Sequence, residues 1–155
     1  RLHIDIESAL WSRFPSLCSY CGSCPCGCKE KGIKTRQNLI ADNSIRPSTI
    51  EGYQEMFSRI YPPGNRTLEH AGIHLAEELG EFSESLLSYM GEHKDDHFKK
   101  VEEEAADILS CYFGVLNSLD IKLVKELSIM FHNNCHVCHA SPCSCSFSFV
   151  ISYDS

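Results

Sequence analysis

A cysteine pattern that occurs twice, once towards each end of the chain, constrains this sequence more than any other feature. The two copies of C-x2-C-x4-C-x-C are Cys18, Cys21, Cys26, Cys28 and Cys135, Cys138, Cys143, Cys145. A proline precedes the third cysteine in both copies, as Pro25 and Pro142. Four thiolates at such short spacing suit one tetrahedral Zn²⁺. We therefore predict a closed structural zinc site in each copy. An Fe–S cluster, and ligands shared across a dimer, are the alternatives.

The clustering of the cysteines also predicts a redox compartment. Two cysteines in C-x-C cannot easily pair with each other, and the long middle of the chain holds only Cys111. This distribution favours a reduced, cytoplasmic metal-binding protein over a disulfide framework. Cys24 corresponds to Ser141 in the other copy, so we interpret it as a spare thiol, and Cys111 as a packing residue. Three histidines near the second copy could replace a cysteine as ligand: His132, His136 and His139.

Composition limits the class of protein and of partner. With 155 residues, 43% of them hydrophobic, the chain is long enough for one compact domain. Its formal net charge of −7 argues against a duplex nucleic-acid partner, which would require a basic face. No apolar run is long enough to cross a membrane, so no membrane partner is expected.

Apolar periodicity between the cysteine copies predicts helices. We expect four amphipathic helices at about 48–60, 67–90, 96–118 and 120–131, with a short helix at 4–14. Ser48 and Asp120 are the expected N-caps of the first and last of the four, and Gly91 is the expected stop of the second. Short connections between such helices indicate a four-helix bundle in an all-α protein.

The predicted organisation has three segments within one compact domain. Residues 1–47 carry the short helix, the first cysteine copy and a linker, residues 48–132 form the helical core, and residues 133–155 carry the second copy and a tail. The tail at 147–153 alternates weakly, which predicts a strand or an extended arm.

Acidic side chains recur at helical spacing on two consecutive predicted helices. Glu78 and Glu81 share one helix face, and Glu104 and Asp107 share a face of the next helix. Antiparallel packing would bring both pairs together, and four carboxylates at one point would not ionise together without a cation. Oxygen-only ligation suits Mg²⁺. Glu77 and Glu103, which each precede a pair, are further candidate ligands, and Glu77 could instead be the base for an attacking water. A solvated acidic face is the alternative, but both pairs lie on the flank of the apolar stripe.

The pattern E-E-x-x-E followed by E-x-x-D resembles the all-α MazG-type nucleotide pyrophosphohydrolases. Its residues here are Glu77, Glu78, Glu81, Glu104 and Asp107, and the resemblance covers roughly residues 50–131. It implies Mg²⁺-dependent hydrolysis of a nucleoside triphosphate to the monophosphate and pyrophosphate, with Mg²⁺ on Glu78, Glu81, Glu104 and Asp107. It also implies a homodimer or homotetramer. The cysteine copies lie outside this resemblance.

Other polar residues near the predicted helix ends are candidate substrate contacts. Lys99 and Lys100 could assist phosphate binding, as could Arg66 and Lys122. Asn65 and Asn117 could contact a base or sugar, although Asn65 is equally suited to a turn. The alternative function is a non-catalytic module in which the zinc sites recognise a protein or nucleic acid and the helices only dimerise.

Overall fold

The computed structural model describes residues 2–64 and 67–146, and every regular element within these ranges is helical. This confirms the predicted all-α class. The predicted strand or arm at 147–153 lies outside the described residues. The helices are α1 (Ile6–Arg13), α2 (Cys28–Lys31), α3 (Ile50–Ile60), α4 (Leu68–Glu92), α5 (Asp95–Ser118) and α6 (Leu123–Met130), with a 3₁₀ turn at Asn43–Ile45.

Hydroxyl side chains set where α3 and α4 begin. Thr49 Oγ1 accepts a hydrogen bond from the backbone N–H of Gly52 at 3.0 Å, so Thr49, and not the predicted Ser48, caps α3. Thr67 Oγ1 likewise accepts from the N–H of His70 at 3.3 Å. α4 runs past Gly91 and ends where His93 adopts a left-handed conformation, with φ 50°.

The helix α5 is the centre of the packed core, since α1, α3 and α4 all contact it. Its buried apolar residues are Val101, Ala106, Phe113 and Leu116. Phe57 of α3 stacks on Phe113 with ring centroids 5.5 Å apart, and Phe14, which follows α1, meets Phe57 edge-on at 5.2 Å. Aromatic pairs of this geometry stabilise a core beyond the area that they bury. This packing holds α3 and the end of α1 against α5.

Contacts within the chain divide it into two compact units, Arg1–Ile121 and Lys122–Ser155. This division does not coincide with the boundaries expected at 47/48 and 132/133. The last of the four predicted core helices forms as α6, in the second unit, and none of its residues is buried against the described chain. It follows Lys122, which supplies no side-chain cap, so Asp120 is not its N-cap.

The predicted four-helix bundle is therefore not established, because α6 belongs to the second unit and α1 packs on α5 in the first. As for membranes, none of the helices in the described ranges combines the length and the apolarity that a bilayer crossing requires.

Candidate functional site

Three carboxylates meet where α4 packs on α5. Glu78 comes from α4, and Glu104 and Asp107, one helical turn apart, come from α5. One carboxylate oxygen from each lies within 4.8 Å of the other two. The structure thus brings together three of the four residues predicted to hold Mg²⁺. Three carboxylate oxygens at this separation can chelate one hard divalent cation.

Burial of these carboxylates is unusually deep for charged groups. Glu104 is fully buried and Asp107 is 2% exposed, while Glu78 is partly buried. Within the described part of the chain, Glu104 Oε2 and Glu78 Oε2 are buried and have no hydrogen-bond partner. Glu104 Oε1 forms an ion pair with Lys100 Nζ. A buried carboxylate oxygen without a partner is costly, so these two oxygens mark a place suited to a cation.

The charge of Glu78 responds to this crowding. Burial, followed by the neighbouring charges of Asp107, Glu81 and Glu104, raises the pKa of Glu78 to about 7, and Arg36 opposes the shift. Near neutral pH, Glu78 in the metal-free protein is therefore poised between its acid and its carboxylate.

Two arginines bind Asp107, and both come from the segment that precedes the predicted core. Arg13 Nη2 and Arg36 Nη2 each lie 2.6 Å from Asp107 Oδ2, and Arg13 Nε donates to Oδ1 at 3.2 Å. Arg13 Nη1 also lies 3.2 Å from Glu103 Oε2. Sequence reasoning missed both arginines. Arg36 lies in a segment without periodicity, and Arg13 stands in the last turn of α1 like an ordinary solvated residue.

Glu81 and Glu77, two further acidic candidates, do not belong to the group of three within the described residues. Both are exposed, and Glu81 is not part of the cation-sized group. Glu77 Oε2 lies 2.9 Å from His74 Nδ1. Ala71, Glu78 and Ser85 are seven residues apart and lie along one stripe of α4 that is buried or half-buried. Glu81, three residues after Glu78, lies to one side of this stripe and is exposed.

Of the four candidate substrate contacts, the structure describes three, and their surroundings differ. Lys99 is exposed and lines a cavity of about 600 Å³ that Arg13 and Arg36, the two arginines on Asp107, also line. Lys100 pairs with Glu104. Asn117 accepts from Gln54 Nε2 at 3.0 Å and donates to Gln54 O at 3.1 Å, so its amide joins α5 to α3. Asn65, like Arg66, lies outside the described residues.

The first cysteine copy forms a compact sulfur site. Cys18, Cys21, Cys26 and Cys28 present sulfurs within 4.8 Å of one another, and Cys18 Sγ is 3.6 Å from Cys28 Sγ. Four sulfurs about 2.3 Å from a tetrahedral Zn²⁺ would lie about 3.8 Å apart. Burial raises the pKa of the Cys21 thiol, but the N–H groups of Gly27 and Ser23 outweigh it and bring that pKa down to about 6. A thiolate is therefore available to a metal.

The second copy reproduces this site. Cys135, Cys138, Cys143 and Cys145 form the cluster, and the distances are 3.9 Å from Cys135 Sγ to Cys145 Sγ and 3.8 Å from Cys138 Sγ to Cys143 Sγ. The N–H groups of Ser144 and Ala140 lower the pKa of Cys138 to about 5.

Backbone hydrogen bonds show that the two copies share one loop conformation. Cys18 N–H donates to Ser23 O at 3.1 Å, as Cys135 N–H does to Ala140 O at 3.1 Å. The carbonyls of Cys18 and Cys135 each accept an N–H, from Gly22 and His139, at 2.8 Å. The sequence repeat is thus a structural repeat, and a four-sulfur metal site fits both copies.

Among the described residues, the two four-sulfur groups contain none of the remaining thiols and histidines. Cys24 is exposed and Cys111 is half-buried. The cation-sized group of the second copy contains its four cysteines, and the ring of His136 meets Phe131 edge-on at 5.2 Å.

Comparison with known proteins assigns no family to the chain, so its function is inferred from the geometry of the site. No family model, curated protein or solved structure matches the chain. The resemblance to MazG-type pyrophosphohydrolases therefore stays a prediction that rests on the two acidic motifs.

Proposed function

We propose that the protein is a Mg²⁺-dependent nucleoside triphosphate pyrophosphohydrolase. One observation carries the proposal: Glu78, Glu104 and Asp107 converge at cation distance, with buried oxygens of Glu78 and Glu104 that have no hydrogen-bond partner in the described chain. A solvated acidic face would not bury Glu104 completely. Mg²⁺ is usually bound by one or two carboxylates together with the phosphates of a substrate, which suits phosphoanhydride hydrolysis.

The carboxylates divide the chemical work in the proposed reaction. When bound, Mg²⁺ would neutralise the polyphosphate and orient it for in-line attack. Glu104 and Asp107 would fix the cation from one rigid helix. Glu78 would complete the site from α4 and would take a proton from the attacking water. The water oxygen would bond to the α-phosphorus, and the bridging oxygen would leave with pyrophosphate.

Release of pyrophosphate from a panel of ribo- and deoxynucleoside triphosphates with Mg²⁺ tests this function. We expect Glu78→Gln and Glu104→Gln to lower the rate roughly a thousandfold, since each removes a ligand charge. Glu84→Gln, an exposed change on the same helix as Glu78, should leave the rate unchanged. Absence of pyrophosphate release from every nucleotide, or equal loss in all three variants, would overturn the proposal.

The two sulfur sites are proposed to hold structural Zn²⁺. Their sulfur separations of 3.6–3.9 Å match tetrahedral thiolate coordination, and thiolates favour zinc among common divalent ions. In the proposed enzyme, each Zn²⁺ would hold closed the loop formed by its own cysteine copy.

A homodimer is proposed from the outward face of α4. This face carries the exposed apolar residues Ile73, Leu79, Leu87 and Met90, at helical spacing. Gly72 and Gly80 lie on the same face, where an added Cβ would meet no described atom within 4 Å. Large apolar and small residues on one exposed face suit close packing against the same helix of a second copy.

The alternative function, a non-catalytic binding module, is favoured by the second unit. None of the α6 residues is buried against the described chain, and Ile129 and Met130 are 68% and 53% exposed beside the second sulfur site. The nucleotide panel separates the two functions, because a binding module would release no pyrophosphate.

A further inference from the structure

Arg36 stands between two cavities beside the carboxylates. It lines the cavity of about 600 Å³ that Arg13 and Lys99 also line, and a second of about 270 Å³ that reaches Glu78 and Asp107. The larger cavity has the volume of a typical small-molecule site. A ligand in the larger cavity that extends to the carboxylates would therefore meet the guanidinium of Arg36.

The first sulfur site determines where Arg36 lies. Ser19 and Tyr20 occupy the two positions between Cys18 and Cys21. Ser19 Oγ accepts from Arg36 Nη1 at 2.9 Å, and Ser19 O accepts from the N–H of Gln37 at 3.1 Å. The guanidinium carbon lies 4.5 Å from the centroid of the Tyr20 ring. The short turn closed by two of the sulfurs thus holds the arginine through a side chain, a backbone group and a ring.

Arg13 differs from Arg36 in ways that separate their roles. The Arg13 side chain is 12% exposed and joins α1 to both Glu103 and Asp107, which is a structural position. The Arg36 side chain is 28% exposed, so it can exchange partners. A guanidinium fork binds phosphate oxygens as well as it binds a carboxylate.

We propose that Arg36 is a phosphate-binding residue, positioned by the first sulfur site, and that it leaves Asp107 for the polyphosphate when a cation takes that carboxylate. This inference rests on the proposed function, since it names the group that receives the anionic part of the substrate. It also assigns the first sulfur site a part in substrate binding, which a purely structural zinc site would not have.

Two binding measurements on Arg36→Gln test the exchange. Mn²⁺ alone should bind more tightly than to the wild type, because a competitor for Asp107 has gone. Mg²⁺-tripolyphosphate should bind roughly tenfold to a hundredfold more weakly, because charged hydrogen bonds to the anion are lost. Titration calorimetry measures both affinities. Arg59→Gln, an exposed change on α3, is the control that should alter neither.

The opposite changes in Mn²⁺ affinity and in tripolyphosphate affinity distinguish a phosphate-binding residue from a structural one. An arginine that only supports the fold would weaken both ligands on removal, and that result would overturn the inference. Unchanged tripolyphosphate affinity in Arg36→Gln would also overturn the inference, as would a wild type that binds no tripolyphosphate. If the wild type binds no Mn²⁺, the cation site of the proposed function fails, whereas tripolyphosphate affinity still decides the role of Arg36.

The second sulfur copy supplies a matched control for the positioning role. Cys21→Ser and Cys138→Ser remove equivalent sulfurs from the two loops. We expect Cys21→Ser to weaken tripolyphosphate binding about as much as Arg36→Gln, and Cys138→Ser to leave it unchanged. Equal effects of the two cysteine changes would refute the positioning role. Should Cys21→Ser fail to fold, Ser19→Ala, which removes the hydroxyl that holds Arg36, gives the same comparison against His136→Ala at the equivalent position of the second copy.

Discussion

Arg13 and Asp107, 94 positions apart in the sequence, are joined by two hydrogen bonds of 3.2 Å and 2.6 Å. Asp107 is the last of the three clustered carboxylates, and Arg13 is the last residue of α1. The side-chain exposures of 12% and 3% mean that the pair is largely withdrawn from water. The N-terminal helix is therefore held to the acidic site by a charged contact as well as by apolar packing.

Arg13→Gln should lower the free energy of unfolding by about 1–3 kcal/mol, because hydrogen bonds between charged, buried groups are lost. The loss of stability is limited because Arg36 still binds Asp107. Urea unfolding followed by circular dichroism measures the change, and Arg59→Gln on the surface should shift it by no more than about 0.5 kcal/mol. Equal stability of Arg13→Gln and the wild type would contradict a structural contact.

The raised pKa of Glu78 predicts a pH dependence of stability without added divalent cation. Burial and the nearby acids raise this pKa from 4.5 to about 7, so the folded state binds a proton more tightly than the unfolded chain. The contribution therefore grows as pH falls through about 7 and is complete below the unfolded value.

For a half-exposed group we expect about 1 kcal/mol of extra stability near pH 5.5 relative to pH 8, after allowance for solvent screening. Other groups titrate in this range too, so the quantity to measure is the difference between wild type and Glu78→Gln in urea unfolding at the two pH values. The variant should lack the increment. If the free energy of unfolding of Glu78→Gln rises between pH 8 and pH 5.5 as much as that of the wild type, Glu78 is not the source of the increment.

Metal content and thiol reactivity should agree with two four-sulfur sites. Elemental analysis should give two zinc ions per chain, and one in Cys138→Ser or Cys145→Ser. In the loaded protein, iodoacetamide should modify the exposed Cys24 first and spare the eight clustered thiols. Iron in the sample, or rapid alkylation of clustered cysteines at full zinc content, would contradict the prediction.

The outward face of α4 should mediate self-association. Leu87 is 71% exposed, and placing a charge there by Leu87→Glu should break the dimer, because each buried leucine contributes about 1.5–3 kcal/mol. Light scattering after gel filtration measures the mass. Ser88→Glu, one residue on and off the apolar face, should remain dimeric. A monomeric wild type, or dissociation of both variants, would refute this interface.

Local signals in the sequence predicted the helices of the first unit and much of the site. Apolar residues at a period of 3.6 indicated α3, α4 and α5, and the cysteine repeat identified both sulfur sites by their ligands alone. Glu78, Glu104 and Asp107 were predictable because their helices are consecutive and packed antiparallel. These inferences needed only residues close in the chain or on adjacent helices.

The rest depended on contacts that periodicity does not encode. Arg36 reaches Asp107 across 71 positions from a segment without regular structure, so no spacing could indicate the pair. Glu81 lies on the same helix as Glu78, but it is exposed and outside the group of three, and which side of α4 packs on α5 is decided by packing. The exposure of α6 is equally not evident from its sequence, because its apolar pattern is that of an ordinary core helix.

The two sulfur sites share their backbone hydrogen bonds but not their surroundings. In the first, Cys18 and Cys21 are 1% and 7% exposed, whereas in the second Cys143 is freely accessible. Chelators and oxidants reach the second site more easily, so zinc would leave it first. Such an order of loss would open the C-terminal loop while the first site still holds Arg36 in place.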